Sequence, residues 1–314
     1  MAKYLVGRLA TAIPTLLVVL FLTFGLTYLS PYDPVRQMLA NMPVQDMSTE
    51  EMIARIRAQY GLDRPFLVQF GDYLVKLSRG YMGISINGQR DVWKMIKNTL
   101  PISAQLGLAA AFLTAILGIP LGALAALRQN SWVDYAIVST TLVFRTVPVF
   151  VMAPLMLVLL VLVLHVMNVP RGWHGIFSWQ AILPVFLMML GPLPVVVRQT
   201  RQGVLEVLAM DYVRTAKAKG LSTSTIILRH VLRNALIPVV TSFGFITEGL
   251  IVGTVFVDTI FAIPGYGSVA AAAFSSFDYP VILGVTIVGS VLVILTNVIV
   301  DLFYPILDPR VTLS

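Results

Sequence analysis

The chain has 314 residues, of which 57% are hydrophobic and only 12% are charged, and its mean hydropathy is +0.85. Soluble globular domains carry about 25% charged residues, so this composition excludes an ordinary soluble protein. The high apolar content also excludes intrinsic disorder. Because the chain has no cysteine, disulfides, cysteine-ligated zinc and iron–sulfur clusters are excluded. The net charge of +7 fits the Lys/Arg excess of cytoplasmic loops in membrane proteins better than a nucleic-acid surface.

Six apolar runs are long enough to cross a membrane, which takes about 20 residues as a helix. They are 9–29, 100–127, 132–166, 178–197, 235–257 and 281–300. The first run could instead be a cleaved signal peptide, but it exceeds a usual h-region and lacks a small-x-small site, which favours a retained anchor. Lys and Arg concentrate in the loops on one side, so both termini are predicted to be cytoplasmic.

These runs divide the chain into an N-terminal transmembrane helix (1–30), an extracytoplasmic loop (31–98), a five-helix core (99–304) and a cytoplasmic tail (305–314). Within the loop, the capping-box sequence Ser48-Thr49-Glu50-Glu51 predicts a short helix over about 49–60. Apolar residues at helical spacing from Leu67 to Leu77 predict a second, amphipathic helix. That helix could lie on the membrane surface or on another subunit, or the segment could be a solvated folded loop.

The longest cytoplasmic connection, residues 198–234, predicts a helix, a glycine turn and a second helix. Helical propensity is high from Val204 to Lys219, and Gly220 stands where a helix C-terminal glycine belongs. Ser222 is placed to cap the following helix. The basic side chains of this segment suit either docking into a cytosolic partner or contact with anionic lipid.

No sequence signature of catalysis occurs in the chain. It lacks the Gly-x-x-x-x-Gly-Lys-Ser/Thr loop, the HExxH zinc helix and the Gly-x-Ser-x-Gly elbow. This argues against a membrane enzyme and favours a conduit whose energy comes from elsewhere. A second outer segment, 258–280, is interrupted by Pro and Gly and predicts a turn and a short helix at the outer face.

Two charged residues lie inside predicted spans, where a charge costs about 2.5–3.5 kcal/mol on insertion scales. Glu248 is midway along the fifth span, and either lines a substrate path or has a buried, hydrogen-bonded structural role. Arg145 lies in the third span, and either extends to the cytoplasmic face or pairs with a carboxylate across the bundle.

Several motifs, in this order, resemble the first permease subunit of the dipeptide/oligopeptide/nickel family of ABC importers. They include GLDRPFLVQFGDYLVKLSRGYMGIS at 61–85, NTLPISAQLGLAA at 98–110, DYVRTAKAKGLS at 211–222 with RHVLRNALIPVVT at 229–241, and NVIVDLFYPILDPR at 297–310. The resemblance covers nearly the whole chain. It implies an all-α, polytopic, six-span protein with the type I ABC importer permease fold. The implied function is import of peptides, or of a related solute such as a nickel complex, across the cytoplasmic membrane.

The motif at 211–222 resembles the EAA loop, the element that docks onto the ATPase in such importers. Arg214-Thr215-Ala216 take its first three positions, and Gly220 takes the position of its glycine. Ala216 and Gly220 are both small, which predicts close approach of another surface. The resemblance implies a coupling role for Asp211, Arg214, Thr215, Ala216, Lys217, Lys219, Gly220, Leu221 and Ser222.

The resemblance also implies partners. These are a second homologous permease, two cytosolic ATPases that bind ATP and Mg, an extracytoplasmic substrate-binding protein and membrane lipid. No cofactor or metal in this chain and no nucleic-acid partner are expected. The sequence departs from the family in Phe277 before Asp278-Tyr279-Pro280, and in Asp258 where Glu is usual, which leaves the cargo open. The alternatives are an ion- or proton-coupled transporter that uses Glu248, and a membrane scaffold without transport.

Overall fold

The structure is a computed structural model that describes residues 2–33, 35–36 and 49–307. These residues form helices and no strand, apart from one isolated bridge between Ile84 and Asp91. The α-helices are α1 (Ala2–Tyr28), α2 (Thr49–Tyr60), α3 (Phe66–Ser78), α4 (Val92–Leu127), α5 (Trp132–Thr146), α6 (Val149–Leu157), α7 (Trp179–Leu190), α8 (Leu193–Leu208), α9 (Asp211–Ala218), α10 (Thr223–Thr225), α11 (Leu232–Ala235), α12 (Ile237–Val252), α13 (Val255–Ile260), α14 (Tyr266–Ser275) and α15 (Tyr279–Leu307). Two π-helical stretches are π1 (Val158–Val163) and π2 (Ile226–Val231).

Four helical stretches are long and apolar enough to cross a membrane, and two bent pairs raise the number to six when each pair is one span. The four are Ala10–Tyr28 of α1, α4, Ile237–Ile260 across α12 and α13, and Tyr279–Leu302 of α15. The bent pairs are α5 with α6 and π1, at 97°, and α7 with α8, at 52°. The fold is therefore the all-α, multi-span fold that the sequence predicts.

The third predicted span, 132–166, is a bent pair of helices and not one straight helix. It bends by 97° between α5 and α6, where Val147 is extended with φ −91° and ψ 116°. Pro148 follows Val147, and a proline disfavours helical backbone at the residue before it. The bend therefore has a local steric cause that the apolar run conceals.

The prediction of one helix from Val204 to Lys219 was wrong, because the structure has two helices in this stretch. The fourth span continues through α8 to Leu208, past its predicted end, and a separate helix α9 begins at Asp211. The break lies at Met210, whose backbone is extended with φ −72° and ψ 146°. As a result α9 is a short helix with its own direction.

The chain divides into two compact units. The first comprises Met1–Pro101 and Pro264–Ile294, and the second comprises Ile102–Ile263 and Leu295–Ser314. In the first unit, both helices predicted for the loop are confirmed as α2 and α3, although Ser48 of the capping box lies outside the described residues. The short helix predicted within 258–280 is confirmed as α14.

A buried carboxylate organises part of the first unit. Asp278 is 3% exposed, and its oxygens accept hydrogen bonds from Ser85 Oγ at 2.6 Å and from the backbone N–H groups of Ile86 and Asn87 at 3.1 and 3.3 Å. These bonds satisfy a group that is costly to bury alone. They fix residues 85–87 of the predicted outer loop against the start of α15.

The second unit contains the larger apolar core. Its buried members come from α4, α6, α7, α8 and α13 and from the turn that follows α13. They are Leu106, Ala110, Ala153, Leu183, Leu187, Met188, Met189, Leu190, Leu193, Val197, Val257, Phe261 and Ile263. This core joins both halves of the α7–α8 pair, so α8 is a fixed support for the segment that follows it.

Candidate functional site

The segment 211–222, which the sequence predicts to be a coupling element, folds as α9 followed by a tight turn. Gly220 has φ +76°, in the left-handed region that favours glycine. Its N–H donates to Lys217 O at 3.0 Å, and the N–H of Leu221 donates to Ala216 O at 3.4 Å. These two bonds form a Schellman motif, which ends the helix and satisfies its last carbonyls. The predicted role of Gly220 as a helix stop is confirmed.

Ser222 starts the next helical stretch, as predicted. Its Oγ accepts a hydrogen bond from the N–H of Thr225 at 3.3 Å, which is the N-cap arrangement. The chain then continues through α10, π2 and α11 without a long loop. The turn between α9 and α10 is therefore only four residues long, from 219 to 222, and both of its ends are fixed by backbone hydrogen bonds.

The inner side of α9 is apolar and sits in a buried cluster, which we call the α9 seat. Val213 and Ala216 are the two α9 residues in it. The α9 seat consists of Ala123, Ala126, Val204, Val207, Val213, Ala216, Ile226, Val231 and Ala235. It therefore joins α9 to the end of α4, to α8, to π2 and to α11, and any displacement of α9 meets four other elements.

Ala216 has a different role from the one predicted. It is 7% exposed and belongs to the α9 seat, so in this structure it does not offer close approach to an outside surface. A small residue is needed here because the interior is already filled by Val204, Val213 and Val231. The prediction that Ala216 and Gly220 together form an accessible small-residue surface was therefore wrong for Ala216.

The outer side of α9 and its turn carries the remaining predicted residues, all exposed: Asp211, Arg214, Thr215, Lys217, Lys219, Gly220, Leu221 and Ser222. Among these exposed residues, Arg214 Nη1 and Asp211 Oδ1 form an ion pair at 3.3 Å, with both side chains mostly in solvent. An ion pair of this kind contributes about 0–1 kcal/mol, so these charges are available to a partner.

Sequence reasoning missed two exposed apolar side chains beside these charges. Met210 is 51% exposed and Tyr212 is 43% exposed. The hydroxyl of Tyr212 accepts a hydrogen bond from Asn234 Nδ2 at 2.9 Å, which orients the ring. Aromatic and Met side chains are enriched at protein interfaces. Helical spacing gave no signal for Tyr212, because it lies about 100° around α9 from the buried Val213 but only about 40° from the buried Ala216.

The α9 seat is closed by a direct backbone contact. A Cβ at Gly203 of α8 would lie 2.4 Å from the carbonyl oxygen of Ala235 in α11, so glycine permits this approach. Gly203 was not singled out by sequence reasoning. The residues around Gly203 give no sign of this contact, because its partner Ala235 is 32 residues further along the chain.

An ion pair that the sequence did not predict lies close to the α9 seat. Arg201 of α8 donates to Asp134 of α5 through Nε to Oδ1 and Nη2 to Oδ2, both at 2.7 Å. The Asp134 side chain is 3% exposed and that of Arg201 is 26% exposed. The N–H of Asn130 also donates to Asp134 Oδ2, at 3.0 Å. This bidentate pair fixes α8 to the α4–α5 turn just before the chain enters α9.

The two charged residues predicted inside spans are not brought together. Arg145 lies in the last turn of α5 and is exposed, next to the 97° bend. Glu248 lies in α12 and is half-buried. No ion pair of either residue is found in the part of the chain that the structure describes. A pairing of Arg145 with a carboxylate across the bundle is thus not observed.

A second buried polar cluster lies in the same unit. Asp258 of α13 is fully buried, and its Oδ2 accepts hydrogen bonds from Thr254 Oγ1 at 2.8 Å and from Ser103 Oγ at 3.1 Å. These bonds hold α13 against α4. Within residues 2–33, 35–36 and 49–307, no group of three or more His, Asp or Glu is placed to hold a metal ion.

Comparisons with known proteins match both parts of the chain. The family model described as "Binding-protein-dependent transport system inner membrane component" matches residues 118–313. A second model, described as "Binding-prot-dependent transport system membrane comp, N-term", matches residues 1–107. The α9 seat and the exposed side of α9 both lie within the first of these matches.

Curated relatives match over nearly the full length. The dipeptide transport system permease protein DppB of Bacillus subtilis is 36% identical over 315 positions, covering 100% of this chain and 99% of the relative. The oligopeptide transport system permease proteins OppB of Haemophilus influenzae and Escherichia coli are 36% and 35% identical, each covering 99% of both chains. These relatives confirm the resemblance found in the sequence motifs.

A solved structure matches the fold. The MetNI methionine ABC transporter in an inward-facing conformation gives a TM-score of 0.59, at 16% identity, covering 69% of this chain and 97% of that chain. This likeness confirms the predicted ABC importer permease fold. None of the comparisons supports the alternative of an ion- or proton-coupled transporter. The chain is a multi-pass protein of the cytoplasmic membrane, and it belongs to the binding-protein-dependent transport system inner membrane component family.

Proposed function

We propose that this chain is the permease subunit of an ATP-driven importer whose cargo is a peptide or a related small solute, such as a nickel complex. The names of the curated relatives, which are dipeptide and oligopeptide permeases, support this cargo class. The observation that carries the proposal is α9, a charged helix that is exposed on one side and fixed in a buried cluster on the other.

In the proposed complex this chain pairs with a second homologous permease, and the solute path lies between them. Two cytosolic ATPases bind ATP and Mg and dock on α9 and on its counterpart. An extracytoplasmic binding protein delivers the solute. The chain itself catalyses no reaction. Glu248 and Arg145 are proposed to line or flank the path. Each carries an ionisable group within a predicted span, and neither forms an ion pair among the described residues.

The proposed docking surface consists of Asp211, Arg214, Thr215, Lys217, Lys219, Gly220, Leu221 and Ser222. To these we add Met210 and Tyr212, which supply exposed apolar area beside the charges. Ala216 contributes indirectly, because it is buried in the α9 seat and holds α9 in position. Opposite charges would steer the encounter and set its register, while the apolar side chains would contribute most of the affinity.

Coupling follows from the way α9 is supported. A ligand shifts a conformational equilibrium only through its different affinity for the two states. If the two nucleotide states of the ATPase hold α9 in different positions, the α9 seat transmits the difference to α4, α8, π2 and α11 as one body. The bends at α5–α6 and α7–α8 are then the places where the spans can change direction.

The test is purification of the tagged chain from its own host in mild detergent, followed by mass spectrometry and an ATPase assay. We expect a second permease and ATPase subunits to co-purify, and the sample to hydrolyse ATP. The variant Arg214→Ala/Lys217→Ala/Lys219→Ala should lose the ATPase subunits and keep the second permease.

The matched control removes exposed lysines elsewhere, as Lys94→Ala/Lys97→Ala, and should keep both partners. A wild-type chain that purifies alone, or as a homo-oligomer without ATPase activity, would contradict the proposed function. Retention of the ATPase by the triple variant would contradict only the assignment of the docking surface.

A further inference from the structure

The helix α3 presents an apolar surface for which the proposed function gives no role. Leu67, Val68 and Val75 are 71%, 45% and 51% exposed, and none of the α3 side chains is fully buried. At 3.6 residues per turn these three side chains fall within an arc of about 100°. Asp72, Lys76 and Gln69 lie together on another side of the same helix. The helix is therefore amphipathic, and its apolar surface extends beyond its contact with α1.

Aromatic contacts fix where α3 meets α1. The ring centroids of Phe66, Phe70 and Tyr73 lie 5.7, 5.5 and 5.7 Å from the ring centroid of Phe24 in α1. Seven residues of helix extend about 10 Å, so a helix running alongside α1 would carry Tyr73 well past Phe24. Since all three rings stay at Phe24, α3 crosses α1 at this residue.

The crossing lies within the membrane part of α1. The candidate span of α1 is Ala10–Tyr28, and Phe24 precedes its end by four residues, or about 6 Å of helix. Phe21, deeper in the span, also contacts both Phe66 and Phe70, at 5.3 and 5.4 Å. Amphipathic helices that lie in a membrane interface bury their apolar side about 5–10 Å below the headgroup boundary. The depth of the crossing matches this range.

The polar side chains of α3 fit the same placement. Arg64 and Asp72 form an ion pair of 3.0 Å with both side chains about half exposed. Lys76 is exposed near the end of the helix, and Arg79 directly after it. Gln69 Nε2 donates to the backbone oxygens of Leu62 and Arg64. These bonds fix the residues that precede α3 to the polar side of the helix. Long basic side chains at this level can extend to the lipid headgroups.

From the crossing depth and the two sides of the helix, we propose that α3 is an interfacial helix in the leaflet where α1 ends, which is the outer leaflet in the predicted orientation. Leu67, Val68 and Val75 contact acyl chains, while Lys76 and Arg79 lie at the level of the headgroups. The partner of this surface is lipid rather than a second protein chain. The inference does not depend on the proposed function, because α3 is not part of the α9 docking surface or of its seat.

The experiment uses the absence of cysteine in this chain. Single variants Leu67→Cys and Val75→Cys are labelled with a nitroxide, and the chain is reconstituted as it purifies in mild detergent, with or without other subunits, into vesicles of phosphatidylcholine and phosphatidylglycerol. The matched control on the same helix is Lys76→Cys. Accessibility to oxygen, which concentrates in the bilayer, is compared with accessibility to a water-soluble nickel chelate.

We expect labels at 67 and 75 to be several times more accessible to oxygen than to the nickel chelate, and the label at 76 to show the reverse. Greater accessibility of 67 and 75 to the nickel chelate would place α3 in water and overturn the proposal. Low accessibility to both reagents would mean that protein and not lipid covers the surface, and this result would also overturn the proposal. Because these labels sit on exposed side chains, loss of folding is not expected to obscure the result.

Discussion

The short amphipathic helices α3 and α9 are held in contrasting ways. α9 has two side chains in a buried cluster of nine residues, and a nearby ion pair fixes its supporting helix α8. α3 has no fully buried side chain and contacts α1 through aromatic rings. A helix that must transmit a displacement needs a rigid seat, since packed interiors pass on strain. A helix that lies in lipid needs only an apolar side. The difference in support thus matches the two proposed roles, a coupling element for α9 and a membrane-surface element for α3.

The largest expected effect comes from breaking the ion pair that supports α8. Arg201→Ala leaves the buried Asp134 carboxylate without its bidentate partner, and loss of one partner of a buried pair typically costs about 3–5 kcal/mol. The lower end of that range applies because Arg201 is partly exposed. The matched variant beside α3 is Arg64→Ala, whose pair with Asp72 is half exposed and contributes about 0–1 kcal/mol. Thermal unfolding of the purified complex measures both.

A double variant separates structure from coupling. In Asp134→Leu/Arg201→Met, apolar side chains replace both charges, and such replacements of buried pairs are often neutral in stability. If the pair only stabilises the fold, this variant should also transport normally. If it positions α8 for coupling, transport per ATP hydrolysed should fall while the unfolding temperature stays near that of the wild type. Equal loss of stability in Arg201→Ala and Arg64→Ala would contradict the inference that α9 has a more rigid support than α3.

The next effect concerns two helical glycines. Gly203→Ala puts a Cβ 2.4 Å from the Ala235 carbonyl oxygen, so backbone has to move, and overpacking of this kind costs about 1–3 kcal/mol. Gly71→Ala in α3 meets nothing within 4 Å and should stabilise its helix by about 0.5–1 kcal/mol. Unfolding temperatures should therefore shift in opposite directions. A shift in the same direction for both would show that α8 and α11 do not approach as described.

A smaller effect is expected at the turn after α9. Gly220 has φ +76° with open space around it, so a side chain there is strained by its backbone and not by a clash. Gly220→Val should cost about 1–2 kcal/mol locally and reduce ATP-coupled uptake, because α9 loses its fixed end. Gly220→Asn is the matched control, since Asn tolerates left-handed backbone, and it should retain uptake. Normal uptake by Gly220→Val, measured in proteoliposomes, would count against the role of α9 in coupling.

These variants also show which features could be predicted from the sequence. Gly220 and Ser222 were predicted correctly because a left-handed stop and an N-cap are decided by the residue and its near neighbours. The helices α2 and α3 were predicted for the same reason, from capping and spacing. The apolar runs gave the spans because crossing a membrane requires length and hydropathy, which are properties of a continuous segment.

Other features depend on partners that are distant in the sequence. Asp134 and Arg201 are 67 residues apart, and nothing in either segment indicates the other. Ala216 could be predicted as small, but its direction depends on where α8 and π2 lie. The break at Met210 contains no Gly or Pro, so local propensity favours a continuous helix there and tertiary packing decides otherwise. The sequence therefore predicted which segment forms the site, but it did not predict which side chains of that segment are buried and which are exposed.

Charge on the outer side of α9 should matter less for stability and more for association. Lys217→Glu/Lys219→Glu is expected to leave the unfolding temperature unchanged and to weaken ATPase binding severalfold at low salt, because both side chains are exposed. The weakening should shrink as salt rises and screens the charges. Lys76→Glu on α3 is the control and should not alter ATPase binding. A salt-independent loss would indicate that the variant disturbs packing rather than the docking charges.

The smallest effect on ATP-driven uptake is expected at Glu248. This residue is half-buried in α12 and, among the residues described, makes no ion pair, so Glu248→Gln keeps its shape and removes its charge. An ATP-driven importer does not need this carboxylate to carry a proton, and uptake should remain ATP-dependent, resistant to a protonophore and within severalfold of the wild type. A proton-coupled transporter would behave differently, since the same change would abolish uptake and a protonophore would stop the wild type. Measuring both conditions in proteoliposomes therefore separates a residue that flanks the path from one that powers transport.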